Sequence, residues 1–321
     1  MDGILIIDKP QGITSHDVVV VARRMLGEKR IGHTGTLDPL ATGVLPLACG
    51  RATRLVRFLT ASDKEYAASI VFGVTTDTLD LTGAETGRSG VAPSREAVIE
   101  ALASLTGDYM QMPPAYSAKK VGGRRAYELA RRDEPVTLAA APVRVSRLEL
   151  LDFGDDRCRV SLTCSAGFYV RSLVRDLGER CGTGACLEGL RRTRSGEFTI
   201  DEAIPLDAFE PPNSESRRPN PESRVPNPGI DVATLLIPME KLLSDFPAVT
   251  VTSEGLARVS HGQQVRASDL VGSAPPGPTE WVRLLDGSGA LVGLGTPVAG
   301  PVRLDPLRSA SGILHPEVVL I

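Results

Sequence analysis

A proline-rich segment divides the chain. Residues 211–229 read PPNSESRRPNPESRVPNPG and contain a seven-residue tandem repeat, in which ESRRPNP is followed directly by ESRVPNP. A segment this polar cannot bury enough apolar surface to form a packed element, and two copies are too few for a solenoid. We therefore predict a flexible linker at residues 210–230, between a large unit at residues 1–209 and a smaller one at residues 231–321.

Helix and strand signals are mixed in the large unit. Apolar, β-rich runs predict strands at residues 3–7, 65–72, 143–151 and 158–164. Periodic apolar positions with capping residues predict helices at residues 14–27, 51–59, 94–105 and 169–180. Because strands and helices do not alternate strictly, the pattern predicts an α+β fold with a mixed, largely antiparallel sheet.

The smaller unit has short β-rich runs that are broken by Gly and Pro. They lie at residues 248–252, 281–285, 290–295, 298–304 and 318–321. Such a pattern is typical of a small β-barrel or sandwich.

Composition excludes several classes of protein. The chain shows no export signal and no apolar run of about 18 residues, so we expect a cytoplasmic protein that does not span a membrane. Its five cysteines are an odd number without paired C-x-x-C motifs, so we expect no metal. Nothing in the sequence calls for a larger assembly than a monomer.

One segment is strongly basic although the net charge of the chain is −3. Residues 116–132 carry six basic side chains and one acid, Glu128. The basic residues are Lys119, Lys120, Arg124, Arg125, Arg131 and Arg132. Charge alone leaves two interpretations open, a surface that contacts RNA phosphates and a solvated helix face.

The candidate reactive residue is Asp38. It lies in GHTGTLDPLATGV (residues 32–44), whose Gly and Pro content predicts an irregular, ordered loop. Asp before Pro is also a common turn initiator, and the loop lacks the G-K-[ST] ending of a phosphate-binding loop. The residues alone therefore leave open whether Asp38 takes part in chemistry.

The loop, extended to GHTGTLDPLATGVLP (residues 32–46), resembles the signature loop of the TruB family of tRNA pseudouridine-55 synthases. Further similar segments are LIIDKPQGITSHD (5–17), DKEYAASIVFGVTTDTLDLTG (63–83), PPAYSAKKVGGRRAYELAR (113–131) and CSAGFYVRSLVRDLGE (164–179). Their order and spacing match over about residues 3–209. The resemblance implies a pseudouridine synthase fold, followed by a small C-terminal RNA-binding domain of the PUA type.

The resemblance also implies a reaction. Uridine at position 55, in the T-arm loop of tRNA, would lose its N1–C1′ bond and gain a C5–C1′ bond. No atom is gained or lost, so no cofactor is expected. Asp38 would act as the nucleophile or base, and Arg171 in FYVR would pair with its carboxylate.

Further site residues follow from the same resemblance. A base in a stem-loop must be flipped out before it reacts, so the enzyme needs a stacking surface and a residue that fills the vacated space. Tyr66 would stack on the base, His33 would fill the gap, and Tyr169 and Leu190 would line the uracil pocket. Without the resemblance, ordinary core packing explains Tyr66, Tyr169 and Leu190 nearly as well.

The resemblance assigns tRNA as the partner, through its T-arm stem-loop. Lys119, Lys120, Arg124 and Arg125 would contact the RNA loop. This segment favours an enzyme that needs no guide RNA over the related guide-dependent enzymes of ribonucleoproteins, which modify ribosomal RNA. A third interpretation is an RNA-binding factor without activity, but pure binding would not require a carboxylate facing phosphate-rich RNA.

Overall fold

A computed structural model describes residues 1–117, 119–121, 123–130, 132, 134, 137–209, 232–272, 279–298 and 312–321. The predicted linker at residues 210–230 lies outside the described residues, as does residue 231. The predicted strand at residues 298–304 lies outside them from residue 299 onward.

The described residues form helices and strands in mixed order. The helices are α1 (Ser15–Leu26), α2 (Val56–Thr60), α3 (Arg95–Ser104), α4 (Ala126–Ala130), α5 (Val170–Arg180) and α6 (Ser253–Ser260). The strands before residue 150 are β1 (Gly3–Lys9), β2 (Ile31–His33), β3 (Ala41–Cys49), β4 (Lys64–Phe72), β5 (Val74–Thr76), β6 (Glu85–Arg88), β7 (Gly107–Gln111), β8 (Lys120–Val121), β9 (Arg124–Arg125) and β10 (Ala141–Gly154). The later strands are β11 (Arg157–Cys164), β12 (Ala185–Ser195), β13 (Phe198–Thr199), β14 (Ile204–Pro205), β15 (Ala248–Val251), β16 (Val265–Arg266), β17 (Leu270–Val271), β18 (Val282–Leu285), β19 (Leu291–Pro297) and β20 (Gly312–Val319).

The large sheet confirms the predicted α+β class. Its ten strands follow the order β14-β1-β3-β12-β4-β11-β10-β7, with β2 and β13 attached to β3 and β12. Among the strand pairs that the described residues form in this sheet, only β1–β14 and β3–β12 are parallel. The irregular loop is shorter than predicted, because residues 32–33 belong to β2 and residues 41–44 belong to β3.

Helices cover one face of this sheet in two groups. The apolar sides of α3 and α5 pack over β4 and β11, and α1 packs over β1 and β3. Tyr66 and Leu190 contact both hydrophobic clusters. They therefore lie beneath the boundary between the two groups of helices, which we call the cleft.

A single row of paired residues runs across the middle of the sheet. Lys9 pairs with Gly43, Gly43 with Arg192, Arg192 with Tyr66, and Tyr66 with Leu162. Gly43 has a φ of 100°, and a Cβ there would lie 2.1 Å from the main-chain oxygen of Arg192. Only glycine permits this close approach of two strands.

We expect Gly43→Ala to destabilise the protein by about 3 kcal/mol, since it combines left-handed backbone strain with overpacking. Urea unfolding would measure the loss. Gly154→Ala is the control, because no atom lies within 4 Å of its added Cβ. A loss of less than about 1 kcal/mol for Gly43→Ala would contradict the close approach of the two strands.

The second sheet packs against the opposite face of the first. Its six strands follow the order β16-β20-β19-β18-β15-β17 and curve into a nearly closed barrel, consistent with the predicted PUA-like domain. Ile4 and Val44 share one hydrophobic cluster with Leu294 and Val318, and the rings of Phe58 and Trp281 meet edge to face at 4.7 Å. We propose that the two sheets form the two predicted domains. Among the described residues, no helix is long and apolar enough to cross a membrane.

Candidate functional site

The irregular loop at residues 34–40 places Asp38 at the mouth of the cleft. The buried hydroxyl of Ser15, at the start of α1, accepts a hydrogen bond from the Leu37 amide at 2.8 Å and donates one to the Leu37 carbonyl at 3.0 Å. The Ala41 amide donates to the Asp38 carbonyl at 3.0 Å, which closes a turn with proline in its favoured second position. The backbone is therefore fixed on both sides of Asp38.

Arg171 lies next to Asp38. Its Nε is 2.9 Å from Oδ2 of Asp38, and the side chain of Arg171 is 8% exposed whereas that of Asp38 is 40% exposed. The guanidinium also donates to the carbonyl oxygens of Thr78, at 3.1 Å, and Tyr116, at 2.9 Å. Arg171 is thus a buried cation that holds the carboxylate of Asp38 in a fixed position.

The start of α5 is held by a residue that the sequence analysis did not identify. The buried amide of Gln111 accepts from the Tyr169 amide at 2.9 Å and donates to the Tyr169 carbonyl at 3.1 Å. Tyr169 precedes the first turn of α5, which includes Arg171. A single glutamine in a strand carries no sequence signal for this role.

Tyr66 and Leu190 are half-buried at the floor of the cleft, on adjacent strands. Burial, and to a smaller extent the Asp38 carboxylate, raise the pKa of both Tyr66 and Tyr169. Both phenols are therefore neutral at physiological pH. Their rings and Leu190 offer an apolar surface near Asp38.

His33 ends β2, directly before the loop. Burial, and then the positive charge of Arg192, lower the pKa of its imidazole. Its Nδ1 atom is buried without a hydrogen-bond partner among the described residues. His33 is accordingly neutral and lies half-buried directly before the Asp38 loop.

Three buried basic residues lie on the strands near the loop, and the sequence analysis identified none of them as a site residue. Lys9 is 0% exposed, Arg192 is 1% exposed and Lys64 is 6% exposed. Burial lowers the pKa of the Lys9 amine to about 8, although the nearby Asp38 carboxylate raises it. Burial likewise lowers the pKa of Lys64 to about 8. Lys9 lies on the same face of β1 as the buried Leu5 and Ile7, four and two residues earlier. That spacing was the available sequence signal for its burial.

The lowered pKa of Lys9 predicts a pH dependence of stability. Below about pH 8 the buried amine is charged in both states, so the folded state bears the cost of burying it. Between about pH 8 and the ordinary value of 10.5 the folded state releases the proton first, so stability rises with pH. The gain is up to about 1.4 kcal/mol per pH unit.

Urea unfolding of wild type and Lys9→Met between pH 7.5 and 10 tests this expectation. The wild type should gain stability relative to Lys9→Met as pH rises. Lys29→Met, at an exposed lysine, should keep the wild-type slope. Parallel curves for wild type and Lys9→Met would show that Lys9 is not a buried charge.

The basic segment is described only in part. Lys119 is half-buried, and Arg124 is exposed and pairs with Glu134 at 2.9 Å. The side chains of Lys120 and Arg125 lie outside the described residues. The segment forms the β8–β9 hairpin and α4, and the Tyr116 carbonyl that Arg171 contacts lies just before it.

The chain matches two family models. Residues 23–170 match the model described as TruB family pseudouridylate synthase, N-terminal domain. Residues 171–244 match the model described as tRNA pseudouridylate synthase B, C-terminal domain. The two models together cover every strand of the large sheet after β1.

Curated relatives match over most or all of the chain. The protein named tRNA pseudouridine synthase B from Solibacter usitatus is 40% identical over 321 residues, which is 100% of both chains. The protein of the same name from Aromatoleum aromaticum is 39% identical over 98% of this chain and 94% of its own length. That from Bradyrhizobium diazoefficiens is 42% identical over 82% of this chain and 74% of its own length.

Solved structures resemble the chain as a whole. A chain of a Cbf5-Nop10-Gar1 complex is 26% identical, with a TM-score of 0.71 over 99% of this chain and 85% of its own. A chain of an H/ACA RNP bound to a substrate RNA containing 2'-deoxyuridine is 24% identical, with the same TM-score and coverage. These likenesses show a common fold that extends across both sheets.

Proposed function

The chain belongs to the TruB family of pseudouridylate synthases, and we propose that it isomerises uridine to pseudouridine at position 55 in the T-arm loop of tRNA. The names of its full-length relatives support tRNA as the substrate. The observation that supports the proposed site most directly is the ion pair of Asp38 with the buried Arg171, at the mouth of a cleft with an apolar floor.

Asp38 is the proposed reactive group. The reaction breaks the N1–C1′ bond, turns the uracil within the site and joins C5 to C1′. C5 then loses its proton to solvent and N1 takes one up, so that no atom is gained or lost overall. A carboxylate can act in this sequence as a nucleophile or as a base. Arg171 holds one of its oxygens in a fixed direction, and the loop backbone fixes the rest of the residue.

The cleft also suits a flipped nucleotide. A uridine that leaves its stack needs a surface on which to restack, and Tyr66 offers an uncharged aromatic face for it. Leu190 and Tyr169 would enclose the remaining sides of the uracil. His33, directly before the Asp38 loop, would occupy the space that the base leaves in the RNA.

We propose that the protein binds tRNA alone, as a monomer in the cytoplasm, without a guide RNA. Lys119, Lys120, Arg124 and Arg125 are the proposed contacts to the RNA loop. The Arg124–Glu134 pair is exposed, and exposed pairs contribute little to stability, so phosphate could replace Glu134 at small cost.

The experiment is to incubate an unmodified tRNA transcript with the purified protein and map pseudouridine along it. The expected result is one pseudouridine, at position 55, with no other RNA or protein added. A transcript with cytidine at that position is the control and should stay unmodified. Modification at another uridine, or only after a guide RNA is added, would refute the proposal.

A further inference from the structure

Arg192 is a buried arginine in the middle strand of the cleft floor. Its Nε donates to the Val44 carbonyl at 2.7 Å, and its terminal nitrogens donate to the carbonyls of Gly35, at 3.1 Å, and Thr36, at 3.5 Å. Tyr66 is its cross-strand neighbour on β4, so the two side chains lie on the same face of the sheet. One guanidinium therefore links the Asp38 loop to strand β3, next to Tyr66.

The charge of Arg192 has no acidic partner among the residues that the structure describes. Its main-chain contacts are all neutral carbonyls, although burying a cation without a counter-ion costs several kcal/mol. An apolar side chain would avoid this cost, but it would leave the carbonyls of Gly35, Thr36 and Val44 without their donor. The buried charge is therefore used to hold these carbonyls, two of which belong to the Asp38 loop.

The neighbouring Arg191 has the ordinary arrangement. It is on the opposite face of β12, 43% exposed, and pairs with Asp8 at 2.8 Å. The two consecutive arginines thus differ in what they hold. Arg191 ties two strands together on the face opposite the helices, whereas Arg192 contacts the loop at residues 34–40 on the helix-covered face.

We propose that Arg192 is a positioning residue, which holds the Asp38 loop in place relative to the neighbouring Tyr66. The proposal rests on the proposed function, in which Asp38 reacts with a base stacked on Tyr66. The guanidinium donates to carbonyls two and three residues before Asp38. Because a displacement of about 1 Å can lower a rate by about 100-fold, loss of this connection should reduce turnover.

Single-turnover kinetics of Arg192→Lys and Arg192→Met, with Arg191→Met as the matched control, test the proposal. We expect kcat to fall about 10-fold for Arg192→Lys, which keeps the charge but not the fork of donors, and about 100-fold for Arg192→Met. KM for the RNA should stay within about threefold, and Arg191→Met should keep the wild-type kcat. A folded Arg192→Met variant with a kcat within threefold of wild type would overturn the proposal.

Hydrogen exchange of the free protein gives a readout that does not depend on turnover. In Arg192→Lys, the amides of Thr34 and Leu37 should exchange faster, whereas those of β19 should not change. Unchanged exchange at the loop would overturn the proposal, whether or not the wild type is active on tRNA. Inactivity of the wild type on tRNA would count only against the proposed function. If neither variant unfolds cooperatively, Arg192 is needed for folding itself. That result would also overturn the proposal.

Discussion

Replacing Asp38 by asparagine is expected to abolish pseudouridine formation, with a loss of at least about 1,000-fold in kcat. The amide has the shape of the carboxylate and fits the same turn, but it is neither a nucleophile nor a base. Because Asp38 is the counter-ion of the buried Arg171, the substitution should also lower stability, by about 1–3 kcal/mol. Single-turnover assays on tRNA and urea unfolding would measure the two effects.

The affinity of the variant for tRNA distinguishes a chemical role of Asp38 from a role in RNA binding. The affinity of Asp38→Asn for tRNA, measured at several salt concentrations, should stay within about threefold of wild type with the same salt slope, since no phosphate contact is removed. A variant that loses affinity as well as turnover would show that Asp38 serves to bind RNA.

Arg171→Lys is expected to lower kcat by about 100-fold. Lysine keeps the positive charge, but it cannot reach Asp38 and the carbonyls of Thr78 and Tyr116 with a rigid set of donors. The carboxylate would then be free to turn away from the substrate. Stability should also fall, by about 1–3 kcal/mol, because buried carbonyls lose their donors.

Arg175→Lys is the matched control for this variant. Arg175 lies one helical turn after Arg171 in α5 and pairs with the neighbouring Asp176 at 2.6 Å. Its kcat should stay within about threefold of wild type. Equal losses in both variants would place the effect in the stability of α5, and the ion pair with Asp38 would then have no special role.

Local sequence signals predicted four of the ten strands of the large sheet, together with the helices α1, α2, α3 and α5. Thr14 and Ser94 cap α1 and α3, as the capping pattern indicated, and apolar runs located β1, β4, β10 and β11. These elements depend on short-range propensity and on burial of one face. The sequence reports both directly.

Strand β12 was not predicted although it lies at the centre of the sheet. Its second half, LRRTRS, carries three arginines, and so it lacks the apolar alternation of a buried strand. The structure explains the pattern, because Arg192 is buried against carbonyls while Arg191 and Arg194 form ion pairs on the face opposite the helices. Such partners come from distant parts of the chain, which a local pattern does not contain.

The site residues also divide into those that local motifs or the resemblance supplied and those whose role depends on long-range contacts. The Asp38 loop was recognised as a contiguous motif, and resemblance supplied Arg171, Tyr66, Tyr169, Leu190 and His33. Gln111, Lys9, Lys64 and Arg192 were missed, since each is a single polar residue whose importance depends on burial and on contacts over long sequence separations. Buried polar residues become visible only when the fold is known.

The central claim is that this protein moves the glycosidic bond of one tRNA uridine from N1 to C5. Tritium release from a T-arm stem-loop with 5-tritiated uridine tests it most directly, because C5 must lose its hydrogen when it bonds to C1′. We expect wild type to release one tritium per RNA, Asp38→Asn to release none, and an RNA with 5-tritiated cytidine at the target position to release none from that site. No release by wild type, from the stem-loop or from whole tRNA, would contradict the claim.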